Sequence, residues 1–447
     1  MQVMVAHPVG KLHLEGLMSR AEILFTAGYV FEGQLDIEKL KNSYETVVDS
    51  IGKLNHQLNF NAQNDFSWHP FSDYDQRFHV IESDDIEEEF KSISERGFDI
   101  RSSSKNFPMN MIVIKSNNHA APNRFGIAQM CSHEFIDARS AETLFHLIVD
   151  HYNATKTQNE KAMAEVVETA QRLHTLESTE MCQLLRAEDY DSEANTKGLE
   201  NYVIEDVGDY GVRIGTLPEL LPQFAKRARR PVGCFVDAGP MIAKCRTKYP
   251  EVTKNAIITA VLHKALFNIN VENKGKPKGH TISGKTVSDL LSPEMRESYI
   301  GNYIAFVPIS TAGEDEVEKV AKDVHDRIVE FKSKQINLTC FEGVEAAAQE
   351  NLVGTADDEL SYVITNWNNY RFLSGKEFLH GCKSLSHLSA VNVAPLDEGG
   401  AALINRAIVV INLSLDDKLC FSMFPSLRDD EENRLLVKEV EKLFQQA

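Results

Sequence analysis

GIAQMCSHEFIDARSAETLF, residues 126–145, changes its period in the middle. Its first part is an extended apolar segment, a strand candidate from Arg124 to Cys131. From about Ala138 to Tyr152 the apolar positions Leu144, Leu147, Ile148 and Tyr152 return at helical spacing. His133 and Asp137 stand at the change of period. A strand that runs into a helix is a place where α/β sheets present side chains to ligands. The spacing His-x-x-x-Asp is not decisive by itself, because it occurs at His69/Asp73, His133/Asp137 and His146/Asp150. About one such hit is expected by chance among this many histidines. His69 lies in the polar, aromatic stretch SWHPFSDYD, which reads as a loop. His146 and Asp150 fall inside a predicted helix, where i and i+4 share a face and pair with each other. Only His133 has the context of a site. Its structural alternative is a buried imidazole paired with Asp137; its functional reading is a general base.

Working outward, helices and strands alternate along the chain. Asp36 is placed to cap a helix that buries Ile37, Leu40, Tyr44, Val47, Val48 and Ile51. A second helix starts at Asp84-Asp85 and stops at Gly97. Strands are predicted at Met109–Lys115, Val232–Val236 and Ala407–Leu413, and further helices at 159–185, 255–267, 314–331 and 429–444. The acidic, aperiodic stretch from Glu188 to Gly215 reads as a linker. The expected organisation is two α/β halves, 1–185 and 226–447, joined by a crossover at 186–225.

Composition narrows the function. The formal net charge of −19 repels phosphate backbones, which argues against non-specific nucleic-acid binding. Any anionic ligand needs a local basic patch. Seven cysteines without a CxxC spacing fit neither a disulfide framework nor a zinc cluster, and no metal is expected. The opening MQVMVAHPVG lacks the pattern of a signal peptide, and no stretch approaches the ~18–20 apolar residues of a membrane span. A cytoplasmic, monomeric protein is expected. Asn153-Ala-Thr, Asn337-Leu-Thr and Asn412-Leu-Ser match glycosylation acceptors, which that compartment would leave unused.

Four stretches and the helix beginning LDIEKLK carry a resemblance. GIAQMCSHEFIDARSAETLF resembles the strand–HxxxDG–helix segment of the BAHD acyltransferases, within the CoA-dependent, chloramphenicol acetyltransferase-like superfamily. TKNAIITAVLHKALF resembles the helix that opens the family's second domain. SPEMRESYIGNYIAFVPIS is similar to its GN strand through Gly301 and Asn302. ITNWNNYRFLSGKEFLHGCKS is similar to its ITSW…DFGWG block, with Ile364, Thr365, Trp367, Phe378 and Gly381 matching. The blocks occur in the family's order and span nearly the whole chain.

The resemblance implies two similar domains, each a mixed sheet flanked by helices, with the active-site channel between them. It implies acyl transfer from acyl-CoA, a co-substrate and not a resident cofactor, to the hydroxyl or amine of a small secondary-metabolite-like acceptor. It implies that no acyl-enzyme forms. His133 would be the base, with the Trp367 indole and Thr365 hydroxyl near the oxyanion. Asp137 and Asn302 would be structural, and Lys285, in ISGKTVSD, would replace the arginine that pairs with the motif aspartate. Lys254, Lys244 and Arg246 are the expected contacts to the CoA phosphates, with AKRARRP and KGKPKGH as alternative clusters. Three departures mark a divergent branch: Ala138 in place of the motif glycine, EFLHG at 377–381 in place of DFGWG, and Lys285 in place of arginine. The rivals are a condensation-domain-like or carrier-protein-dependent acyltransferase and a non-catalytic binding protein of the same fold. Condensation domains usually carry a second histidine and a final glycine where this chain has Ser132 and Ala138.

Overall fold

The structure, a computed structural model, describes residues 4–8, 21–52, 54–60, 65–70, 77–97, 108–133, 135–200, 231–349, 361–368, 378–395, 407–413, 416–424 and 430–447. The first half contains β1 (Met4–Pro8), β2 (Ala21–Gly33), α1 (Ile37–Ser50), β3 (His56–Phe60), β4 (Asp65–Pro70), β5 (Phe78–Ser83), α2 (Ile86–Glu95), β6 (Met109–Ser116), β7 (Arg124–Ser132), α3 (Ala138–Lys156), α4 (Glu160–Gln171), α5 (Ser178–Leu185) and α6 (Ser192–Glu200). The second half contains β8 (Val232–Asp237), α7 (Gly239–Lys248), α8 (Lys254–Lys274), β9 (Thr281–Asp289), β10 (Ile304–Ala312), α9 (Val317–Ser333), α10 (Ile336–Gln349), β11 (Tyr362–Asn368), β12 (Cys382–Pro395), β13 (Ala407–Leu413), β14 (Lys418–Phe424) and α11 (Asp430–Gln445). No helix among the described residues is long and apolar enough to cross a membrane.

Two mixed sheets flanked by helices form the body. The first has strand order β12-β2-β7-β6-β5 and the second β10-β9-β11-β13-β14-β8, with β1-β4-β3 as a small third sheet. Only β5 and β6 run parallel in the first sheet, whereas β11 runs parallel to both β9 and β13 in the second. Asp36 and Asp85 cap α1 and α2 as their sequences suggest, accepting from the backbone N–H of Lys39 and Glu88. Strand β6 reads as an uninterrupted apolar run because both of its faces are covered. Met111 and Val113 join the core under α1 and α3, and Ile112 and Ile114 pack beneath α2 with Phe90. Gly28 permits that second layer, since a Cβ there would lie 2.1 Å from the Phe90 ring. Helix α8 is buried around most of its circumference and forms the centre of the second half's core.

Four expectations change. His69 lies within β4, not in a loop. The helical stretch at 159–185 is two helices, separated where His174 bridges to Tyr299. The crossover region contains α6, and residues 201–230, including the basic part of AKRARRP, lie outside the described residues. The sheets also do not follow the chain division. Strand β12, from the second half, pairs antiparallel with β2 from Cys382↔Gly33 to Pro395↔Ala21 and forms an edge of the first sheet.

Two buried imidazoles outside the strand-to-helix junction make stability depend on pH. Burial pushes both His263 and His387 down to about 3. His263 lies between Thr311 Oγ1, at 2.6 Å, and the Tyr362 hydroxyl. Both rings stay neutral in the folded chain and protonate near 6.5 when it unfolds. Their contribution is therefore complete above about pH 6.5 and is lost progressively towards pH 3, by about 2 kcal/mol each at pH 5. Urea unfolding at pH 7.5 and pH 5.0 should reveal this loss. His263→Phe, whatever its absolute stability, should flatten the slope.

Candidate active site

Strand β7 ends at Ser132, and the His133 N–H donates to the Ile23 carbonyl at 2.9 Å, which holds the junction against β2. Four residues later Asp137 is the N-cap of α3, its Oδ1 accepting from the Ser140 N–H at 2.7 Å. Ala138 is the first helical residue and is not among the positive-φ positions, so alanine there is unstrained. The loop is held from across the chain. Asp137 N–H donates to the Gly301 carbonyl at 3.0 Å, and Tyr303 N–H donates to Asp137 Oδ2 at 3.1 Å. The Ser140 hydroxyl donates to the Gly301 carbonyl at 2.7 Å and accepts from the Gly301 N–H at 3.0 Å.

The cation on Asp137 is Arg296, not Lys285. Its guanidinium donates through Nη1 to Oδ1 at 3.1 Å and through Nη2 to Oδ2 at 2.8 Å. The same Arg296 donates to Asp289 through Nη2 at 2.6 Å and Nε at 3.2 Å. Lys285 lies mid-strand in β9, opposite Pro308 and Val363. Burial raises the Asp137 carboxyl, but the Arg296 charge and the amide donors outweigh it, and its pKa falls below the usual carboxylate range. Burial, reinforced by the neighbouring Asp137 charge, raises that of Asp289.

Asn302 supports His133 itself. Its Nδ2 donates to the His133 carbonyl and lies 3.2 Å from the ring Nδ1. Asn302 thus braces both the backbone and the ring of His133 from across the chain. Burial lowers the pKa of the imidazole despite the opposing Asp137 charge, so the ring is neutral near pH 7.

A cavity of about 610 Å3 brings His133, Asp137, Thr365, Trp367, Lys254 and Arg246 together. Phe25 meets the His133 ring edge-on at 5.1 Å and the Trp367 ring at 5.6 Å. The cavity passes through the second sheet. The β9–β11 ladder runs from Gly284↔Tyr362 only to Thr286↔Ile364, while β9 continues along β10 and β11 continues along β13. Beyond Thr286 the two strands leave a gap. Val287, Phe306 and Trp367 line the cavity on the face packed against the first half. Thr286, Ser288 and Asn366 alternate with them and face the helices, where Asn366 donates to Asn255 of α8.

The expected phosphate contacts divide. Lys254 lines the cavity with its ammonium on Asp417, and Arg246 lines it with Nε on the Val252 carbonyl at 3.2 Å. Lys244 is not in the lining and pairs with Glu318 at 3.7 Å. In KGKPKGH, Lys274 pairs with Glu432 at 3.2 Å, and none of its lysines lines the cavity. Lys332, in the last turn of α9, adds a cation that sequence reasoning missed. In the described part of EFLHG, residues 378–381, Asn153 clamps the chain, donating to the Phe378 carbonyl at 3.0 Å and accepting from the His380 N–H at 2.8 Å. This occupies one glycosylation sequon, and Asn337 and Asn412 of the other two are buried.

No family model matches the chain, and no curated protein matches it in sequence. Solved structures do. The trichothecene 15-O-acetyltransferase of Fusarium sporotrichioides aligns with a TM-score of 0.65 and 11% identity, over 99% of this chain and 94% of its own. Polyketide synthase associated protein 5 of Mycobacterium tuberculosis gives 0.62 and 9%, over 99% and 98%. The starter condensation domain of rhizomide synthetase, solved in complex with C8-CoA, gives 0.60 and 10%, over 95% and 89%. At such identities the likeness establishes the fold, one shared by an acetyltransferase and condensation domains.

Arg296→Ala should separate the two candidate partners of Asp137. Removing one member of a buried pair costs about 3–5 kcal/mol, because the other charge is left uncompensated. Thermal melts should therefore show a large loss for Arg296→Ala, a partial one for Arg296→Lys, which lacks the bidentate fork, and little for Lys285→Ala. Equal losses for Arg296→Ala and Lys285→Ala would refute the assignment.

Proposed function

We propose that the chain transfers an acyl group from a thioester donor, acyl-CoA, to a hydroxyl or amine of a small acceptor, in a ternary complex without an acyl-enzyme. The observation that carries this reading is the state of His133: a buried, neutral ring braced by Asn302 and opening onto a cavity that crosses the sheet towards basic residues. The His133 imidazole removes the acceptor proton as the acceptor oxygen or nitrogen attacks the thioester carbonyl. The resulting tetrahedral oxyanion takes hydrogen bonds from the Thr365 hydroxyl and the Trp367 indole N–H. Collapse breaks the carbon–sulfur bond, and the His133 imidazolium returns its proton to the departing thiolate. Oxyanion donors of this kind contribute about 3–4 kcal/mol each in other enzymes. Asp137 and Arg296 act by setting the loop and do not touch the reacting atoms. The carrier-protein rival shares the same chemistry and differs only in what bears the thioester.

Incubation of the protein with acetyl-CoA and a panel of alcohols and amines, followed by thiol release and mass spectrometry of products, tests the activity. His133→Ala should lower turnover by roughly 10²–10⁴-fold with an unchanged melt. His146→Ala, inside α3, should keep it. Absence of thiol release with every acceptor would favour the non-catalytic rival. The acid limb of kcat/KM should fall below pH 6.5, because burial holds the base below its usual value and protonation abolishes it.

A further inference from the structure

Lys254 is the first residue of α8, and the helix's N-cap, Thr253, lines the cavity beside it. A lysine is unfavourable at that end of a helix, where the backbone N–H groups already leave positive partial charge. Ammonium and helix end together favour an anion. The chain supplies one itself, because the Lys254 ammonium donates to Asp417 Oδ1. Helices α7, α8 and α9 bring Arg246, Lys254 and Lys332 to the cavity. Of these three, Lys254 is the one with a carboxylate in ion-pair contact among the described residues.

Asp417 immediately precedes β14, far from Lys254 in sequence. Its carbonyl accepts from the Ala238 N–H at 2.9 Å, just ahead of α7. Its backbone is left-handed, with φ 63°, a conformation that aspartate and asparagine tolerate better than most residues. A pinned backbone thus presents the carboxylate, while the two paired side chains are each 26% exposed. Ion pairs with that much access to water are weak and open readily. A carboxylate offers Lys254 one negative charge, and a phosphate offers more charge and more acceptor oxygens.

We infer that Asp417 is an internal competitor for Lys254. It holds the ammonium in the free protein, yields it to a phosphate of the acyl donor, and takes it back as the product thiol leaves. The inference rests on the acyl-transfer reading for the identity of the anion, and it adds a residue that sets donor affinity and release.

Asp417→Asn keeps the shape and the left-handed backbone and removes the charge. Isothermal titration at fixed ionic strength compares it with wild type, using CoA, pantetheine, which has no phosphate, and pyrophosphate as a bare anion. Asp417→Asn should bind CoA about three- to tenfold more tightly, pyrophosphate should follow, and pantetheine should not change. Removing any negative charge near the mouth draws anions, so two controls separate competition from the general field. Asp416→Asn makes the same charge change one residue away and should alter CoA affinity by less than about twofold, since exposed charges are screened. In a Lys254→Met background, Asp417→Asn should have no effect. A gain that persists without Lys254, or an equal gain from Asp416→Asn, would overturn the competitor. So would unchanged or weaker CoA binding by Asp417→Asn, which would make the carboxylate a support that positions Lys254, and so would failure of both forms to bind either anion. Thiol release from acetyl-CoA scores the acyl-transfer reading separately. A wild type that releases no thiol, while Asp417→Asn binds pyrophosphate more tightly through Lys254, refutes that reading and keeps the competitor. Thiol release without a Lys254-dependent gain does the reverse.

Discussion

The pairing of Asp137 with Arg296 is the constraint on which the rest of the site depends. A carboxylate that is 1% exposed survives as an anion only if its charge and lone pairs are met. Here one partner is the local helix N-terminus, and the remainder come from residues 296–303 of the other half. The His133 loop cannot adopt its geometry until the second half has docked, because Gly301, Asn302 and Tyr303 satisfy its backbone and its capping residue together. The Asp137 charge opposes the desolvation that lowers the His133 base and favours the imidazolium that forms during proton transfer.

The second sheet is both a wall and a passage. A continuous ladder between β9 and β11 would close the route from the helix face to His133. Three paired residues hold the strands together, and their separation beyond Thr286 opens it. The strands stay in place because each has another neighbour, β10 or β13, so the gap does not unravel the sheet.

Much of this was legible in local patterns. The change of period at 132–138 placed His133 and Asp137 at a strand-to-helix junction, and the caps at Asp36 and Asp85 followed from side-chain chemistry next to apolar periodicity. What escaped has a common cause. The choice of Lys285 matched a charge to a place in the order of blocks, whereas the partner is fixed by three-dimensional docking. Arg296 stood unrecognised inside SPEMRESYIGN, five residues before Gly301. Strand β12, CKSLSHLSAVNVAP, alternates like an ordinary strand, but its neighbour β2 lies at the opposite end of the chain and leaves no local signature. Lys332 reads as one more solvated lysine at a helix end until the cavity places it.

The position of β12 also shapes how the chain is made. Strand β2 emerges from the ribosome early, together with the strands that flank it on one side, but its other partner is synthesised last but two among the strands. At ordinary elongation rates of about 5–20 residues per second, the roughly 350 intervening residues take about 20–70 seconds. Throughout that interval the nascent first sheet presents the hydrogen-bonding edge of β2, apolar from Ile23 to Phe31, to any other extended segment. Only pairing with β12 removes that edge, so β2 stays open to such pairing until the chain is almost complete.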